Sequence, residues 1–175
     1  MNHDSPVTIF RATISDVTGL TQMSIDTFCE TFAHQNSKED MNLYIAEEMN
    51  EARLAAELAE ADNLFFIAWQ GETMAGYAKM RTQPGEPSLK ECKAIEIERI
   101  YVKGEFQGKK VGASLMGRCL EYAANENFDT VWLGVWEYNY KAVNFYRQWG
   151  FELFGSHPFI LGKDIQTDVL MKKAL

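Results

Sequence analysis

Cysteine is scarce in this chain. Cys29, Cys92 and Cys119 are the three present among 175 residues, widely separated and without a C-x-x-C spacing. An odd, sparse set argues against a disulfide framework and points to buried thiols in a reducing compartment. Histidine is scarcer still in pattern than in number: His3, His34 and His157 are scattered with no ligand spacing, so no metal is expected. Positive charge is also in deficit. Lys and Arg total 17 against 25 Asp and Glu, a net charge of −8. That excludes the basic face of a non-specific nucleic-acid binder and leaves cationic partners open. No apolar run is long enough to span a bilayer, and the N-terminus lacks an apolar signal core, so a soluble, cytoplasmic protein with no membrane partner is expected. Repeats, low-complexity tracts and linkers are absent. One domain over 1–175, with its core at about 7–173, is the expectation. Two phosphate-loop patterns are missing as well. Gly104 and Gly108 enclose three residues and Lys110 follows Lys109, which is no Walker A loop, and no G-x-G-x-x-G occurs.

What is present is an ordinary globular balance, 46% apolar and 24% charged, organised around residues 95–112. Positions 95–102 are β-branched or aromatic at most places and read as a strand. Strict alternation would put Glu96, Glu98, Ile100 and Val102 on one face. A loop with Gly104, Gly108, Lys109 and Lys110 follows. Helical spacing takes over at Val111, with Leu115, Met116, Cys119, Leu120 and Ala123 on one stripe. Free N–H groups and the positive end of the helix dipole therefore converge on this loop, an arrangement suited to an anionic phosphate. Gly108 and Gly112 would admit a ligand to the backbone, and Lys109 and Lys110 add charge. The plainer alternative is a strand-to-helix turn with glycines for geometry and lysines for solubility.

The remaining elements follow from pattern. A strand is expected at 7–12 and a helix from Val17, capped by Ser15-Asp16. A second helix starts at the Ser37-x-x-Asp40 capping box and continues, after a further piece carrying Leu54 and Leu58, to about 61. Strands are expected at 63–69 and 73–81 around a Gln70-Gly71-Glu72 turn, and at 90–102 after the Pro84–Pro87 loop. After the Val111 helix come a strand at 130–136, a short helix capped by Asn139 and closed by Gly150, and strands at 151–161 and 165–171. The order β-α-α-β-β-β-α-β-α-β-β predicts an α/β (α+β) fold. It has one mixed sheet of about seven strands flanked by about four helices.

The run from Glu98 to Phe151 resembles the GCN5-related N-acetyltransferase superfamily. The family's Q/R-x-x-G-x-G/A pattern appears as Gln107-Gly108-Lys109-Lys110-Val111-Gly112, with Lys110 standing where the first Gly would be. Its L-x-V-x-x-x-N-x-x-A-x-x-F-Y-x-x-x-G-F signature appears as Leu133-Gly134-Val135, Asn139, Ala142, Phe145-Tyr146 and Gly150-Phe151. The N-terminal half, with FCETF at 28–32 and SKEDMNLYI at 37–45, looks like bacterial spermidine/spermine acetyltransferases of the Pai type.

The resemblance implies attack of a neutral amine on the thioester of acetyl-CoA, the expected cosubstrate. Gln107, Gly108, Lys109, Lys110, Val111, Gly112 and Ala113 would hold its pyrophosphate. The backbone of Ile100, Tyr101 and Val102 would line its pantetheine, and Asn139, Ala142 and Tyr146 would complete the cofactor site. Tyr146 would protonate the departing thiolate, with a packed core aromatic as the alternative reading. Asn139 is equally a helix cap. Glu98, then Glu96, would serve as base through water, with a salt bridge or a solvated strand face as the alternative. Glu30, Glu96 and Glu137 could grip an ammonium, and Trp136, with Tyr138 and Phe159, could wall a methylene chain or belong to the core. Eight acidic residues against one Arg between 39 and 62 suggest an acidic lip for a polyamine, or the solvated face of an amphipathic helix. A protein N-terminus, an aminoglycoside or an amino acid are other acceptors to weigh. A non-catalytic acyl-CoA-binding regulator is the rival of a different class. A homodimer is compatible with all of these.

Overall fold

The computed structural model describes residues 5–175; His3 and most of the expected frayed start lie outside them. The chain runs β1 (Val7–Arg11), α1 (Val17–Phe32), α2 (Lys38–Glu48), α3 (Glu51–Ala59), β2 (Asn63–Gln70), β3 (Thr73–Arg81), β4 (Ala94–Val102), α4 (Val111–Asn125), β5 (Thr130–Trp136), α5 (Tyr140–Gln148), β6 (Glu152–Leu161) and β7 (Asp164–Ala174). The seven strands form one sheet in the order β1-β2-β3-β4-β5-β7-β6. All neighbours are antiparallel except β4 and β5.

Two expected boundaries move. The second helix is two helices, giving five in all, because Asn50 serves both ends. Its Nδ2 donates to the Ala46 carbonyl at 3.0 Å, closing α2, while its Oδ1 accepts from the Arg53 N–H at 2.9 Å, opening α3. β4 starts at Ala94 rather than Lys90. Pro87–Leu89 makes a 3-10 turn that buries Leu89, and the Lys93 N–H is taken by the Asp129 carboxylate at 2.8 Å.

The sheet is covered on both faces. α4 lays Val111, Leu115, Met116, Cys119 and Ala123 on one face, where Tyr146 and Val143 of α5 join the same core. α1 and α3 cover the other through Leu20, Met23 and Leu54. α1 and α2 form an aromatic cluster there with Phe28, Phe32 and Met41. Among the described residues no helix is long and apolar enough to cross a membrane.

A bulge in β4 changes which residues share a face. Lys79 pairs with Arg99 and Met80 with Ile97, so Glu98 has no partner on β3. One extra residue inverts the alternation beyond it. Ile95, Ile97, Ile100 and Val102 all pack toward α4. Glu96, Glu98, Arg99 and Tyr101 face the α1–α2 side. The expected grouping of Glu96 and Glu98 with Ile100 and Val102 is therefore corrected: the two carboxylates stay together and the two apolar residues go to the opposite face.

Candidate active site

The loop before α4 is built to expose backbone donors. Gly108 (φ 78°) and Lys110 (φ 66°) both take left-handed conformations. Lys110 is the N-cap of α4, and no side chain caps that helix. The Ser114 N–H is bonded to the Lys110 carbonyl at 2.9 Å. The N–H groups of Val111, Gly112 and Ala113 precede it and point past the helix end. Lys110 holds a conformation that glycine would adopt without cost, which is how the loop accommodates a side chain there. Gln107 ties the loop down: its Nε2 donates to the Val102 carbonyl at 3.2 Å, and its Oε1 accepts from Lys141 Nζ of α5 at 2.5 Å. Lys141 was not singled out from the sequence, yet it brings a third lysine toward Lys109 and Lys110.

Beside this loop the sheet opens. β4 and β5 pair only at Ala94–Thr130, Ile95–Val131 and Glu96–Trp132. From Ile97 to Val102 the β4 edge has no strand on that side. A cavity of about 320 Å³ lies at the opening on the α1–α2 face, lined by Phe28, Phe32, Tyr44, Met49, Arg81, Glu96, Glu98, Arg99, Tyr101, Gly134, Val135, Trp136, His157, Phe159 and Asp168.

The acids on its β4 wall are not free. Arg81 bridges them, Nε to Glu96 at 2.5 Å and Nη1 to Glu98 at 2.6 Å. Lys79 lies 2.5 Å from Glu98 and 3.1 Å from Glu57 of α3. Arg99 donates to both Glu57 oxygens, at 3.0 and 3.2 Å. Three carboxylates thus meet these three cations, and Arg53 Nε lies 3.6 Å from Glu57. Burial pushes Glu98 up, but Arg99, Lys79 and Arg81 outweigh it and hold its carboxyl below the usual range. Burial, helped by the Glu98 charge, raises Glu96 against the pull of Arg81 and His157, so its carboxyl sits above that range.

A model of the acetyltransferase (GNAT) family matches residues 24–151, which span the loop, α4, β5 and α5. The chain belongs to the GNAT acetyltransferase family. An uncharacterized N-acetyltransferase of Lactobacillus delbrueckii subsp. lactis is 36% identical over 169 residues, 97% of this chain and 98% of that protein. A PaiA N-acetyltransferase from Thermoplasma acidophilum, solved with coenzyme A, superposes with a TM-score of 0.80 at 22% identity, over 97% of this chain and 99% of that one. The ribosomal-protein-S18-alanine N-acetyltransferase of Escherichia coli gives 0.69 at 17%, over 97% and 94%. At these identities the structural likeness is one of fold.

The GNAT framework gathers some of the expected residues and separates others. Tyr146 is buried on α5 against Phe145 and Phe151 (ring centroids 5.6 and 6.1 Å). Burial, then the charges of Cys119 and Asp168, push its phenol well above the ordinary value. Asn139 accepts from the Ala142 N–H at 3.2 Å and so caps α5. Trp136 and Phe159 line the cavity; Tyr138 stacks edge-on with Trp136 and is exposed. Glu30 lies apart: its carboxylate receives the Gly104 N–H at 2.8 Å and fixes the start of the loop between β4 and α4. Glu137 is on a separate surface groove with Gln35 and Ile165. Sequence reasoning did not pick out Lys79, Arg81, Arg99 or Asp168, and it noted His157 only as unsuited to metal binding. Among the described residues no three His, Cys, Asp or Glu side chains group as metal ligands.

Proposed function

We propose that this GNAT protein transfers the acetyl group of acetyl-CoA to the primary amine of a small cationic acceptor, by direct attack in a ternary complex. The observation that carries the reading is the opening between β4 and β5, with an uncapped helix N-terminus on one side and a carboxylate-lined cavity on the other. The amides of Val111, Gly112 and Ala113, with the charges of Lys109, Lys110 and Lys141, would hold a pyrophosphate. The free β4 edge at Ile100, Tyr101 and Val102 would lie along the pantetheine, and Ala142 and Asn139 border the same side. The thioester supplies the electrophilic acetyl carbon. Tyr146 holds the proton that a leaving thiolate requires. Of the two β4 carboxylates, Glu96 is in the environment that favours taking a proton from an ammonium, while the three cations around Glu98 stabilise its charged form.

A polyamine is the acceptor suggested by the resemblance of residues 28–32 and 37–45 to Pai-type enzymes; the β4 acids of the cavity lend it little, because Arg81 and Lys79 already hold Glu96 and Glu98. The stretch at 39–62 lends it less than the sequence suggests. Glu57 is buried against Arg99 and Lys79, Glu48 pairs with Arg53, Glu39 with Lys163, Glu60 bonds Asn63 and Asp62 bonds Thr82.

Thiol release from acetyl-CoA over a panel of amines tests the activity. Release that depends on the amine is expected; CoA binding with no release from any amine would overturn it. Gly112→Ala and Gly112→Asp test the cofactor site. The new methyl would meet only Val102 Cγ2 at 3.6 Å and Phe145 Cζ at 3.8 Å, and alanine is the better helix former by about 1 kcal/mol. Melting temperature should hold or rise. Alanine is also what the family pattern admits at this position, so CoA affinity, read by titration calorimetry, should change by less than about threefold, whereas Gly112→Asp, which sets a carboxylate where phosphate approaches the amides, should lower it about tenfold or more, ~1.4 kcal/mol.

A further inference from the structure

Asp168 is the acid of the cavity that the ionic network does not use. It sits on β7, in register with Trp136 of β5 on one side and His157 of β6 on the other. Arg81, Arg99 and Lys79 are committed to Glu96, Glu98 and Glu57. Among the described residues the only cationic group within 4 Å of Asp168 is His157, Nε2 to Oδ2 at 3.7 Å, which is beyond a hydrogen bond. Gly134 makes the room: a Cβ there would stand 3.3 Å from both Asp168 Oδ2 and His157 Nε2. Around this carboxylate the walls are aromatic. Phe32 lies 6.1 Å from Trp136, and Tyr44 lies 5.6 Å from Phe159, centroid to centroid. One carboxylate with a histidine but no arginine or lysine beside it among the described residues, inside an aromatic enclosure, is the chemistry that holds one ammonium, by charge and by cation–π attraction.

We infer that Asp168 receives the ammonium of the acceptor, and that the aromatic enclosure selects an amine with one cationic end on an apolar or aromatic body over a polyamine. This rests on the amine-acetylation reading above. A polyamine would bring further ammonium groups into a cavity whose other carboxylates already have arginine or lysine partners.

The test is thiol release at pH 8 with 2-phenylethylamine, tyramine and hexylamine against putrescine and spermidine. The single-cation amines should exceed the polyamines at least tenfold in kcat/KM. Asp168→Asn should raise KM for the best amine tenfold or more with CoA affinity unchanged, and Asp168→Glu should recover part of the loss. The groups facing Asp168 are His157 on β6, Glu96, Glu98, Arg99 and Tyr101 on β4, Arg81 on β3, Tyr44 on α2 and the Tyr146 phenol on α5. Burial pushes Asp168 up to about 6 against the pull of His157. Its charged form therefore costs stability, a cost that builds from the unfolded value of ~4 and is complete above about 6. Asp168→Asn should melt higher than the wild type at pH 8, with the gap narrowing at pH 5 and closing toward pH 4, whereas a merely structural acid would lower melting at pH 8. Spermidine as the best substrate, or a KM that Asp168→Asn leaves unchanged, would overturn this inference alone. A wild type that binds CoA yet acetylates no amine would overturn both readings.

Discussion

Tyr146→Phe should lower the turnover of acetyl transfer by about 10²- to 10⁴-fold, the range for loss of a positioned proton donor, while leaving CoA affinity and melting temperature unchanged. The substitution removes one oxygen from a side chain packed between Phe145 and Phe151, so the core keeps its volume. The phenol is held protonated by burial. A donor with a raised pKa still suits this position, because the same burial acts on sulfur: the Cys119 thiol, in the same core, is pushed up to about 12. A thiolate expelled into such surroundings is a strong base and takes the phenolic proton. Single-turnover kinetics and CoA titration on one preparation separate the two effects. Normal turnover in the Phe variant would remove Tyr146 from the chemistry.

Glu57→Gln should destabilise the protein by roughly 3–5 kcal/mol, the cost of leaving buried charge without its partner. That is a large share of the ~5–15 kcal/mol that holds a domain folded. Glu57 is the hub of the ion network: it takes both terminal nitrogens of Arg99 and also faces Lys79, and Lys79 and Arg99 are only 2% and 8% exposed. A neutral amide in its place leaves two buried cations to share Glu98. Urea unfolding reads the loss. Glu47→Gln, at an exposed position of α2, should leave the midpoint where it is. A Glu57→Gln midpoint equal to that control would show the network contributes nothing to stability.

These two residues show what the sequence discloses. Tyr146 stands in a run whose spacing, from Leu133 to Phe151, identifies the helix and its neighbours. The loop at 107–112 likewise follows from glycines and lysines before an amphipathic stripe. Both are local patterns, and the structure keeps them. Glu57 looked like one more acid on a solvated helix, because its partners, on β3 and β4, lie 22 and 42 positions downstream. The bulge at Glu98 is invisible to an alternation rule, which has no means of inserting a residue. Asp168 and His157 are eleven positions apart and meet only through the β6–β7 register. They also lie beyond the segment, 24–151, that carries the family pattern. Asn50 divided one expected helix into two because a mid-helix asparagine and a double cap are spelled the same way.

The three residue pairs joining β4 to β5 have a mechanical consequence. They are the one seam between two antiparallel halves, β1 to β4 and β5-β7-β6. The shut end of that seam is buckled by Asp129, whose side chain takes the Lys93 N–H, whose own N–H meets the Lys93 carbonyl at 2.8 Å, and whose carbonyl receives Leu175 at 3.0 Å. The six residues of β4 beyond the seam, held in the sheet by β3 alone, span about 20 Å at ~3.3 Å per residue. A tilt of about 3° at the buckle moves the far end of that span by about 1 Å, a displacement on the scale that costs an enzyme about 10²-fold in rate. Asp129 thus ties the closed end of the seam, at the opposite end of β4 from the opening.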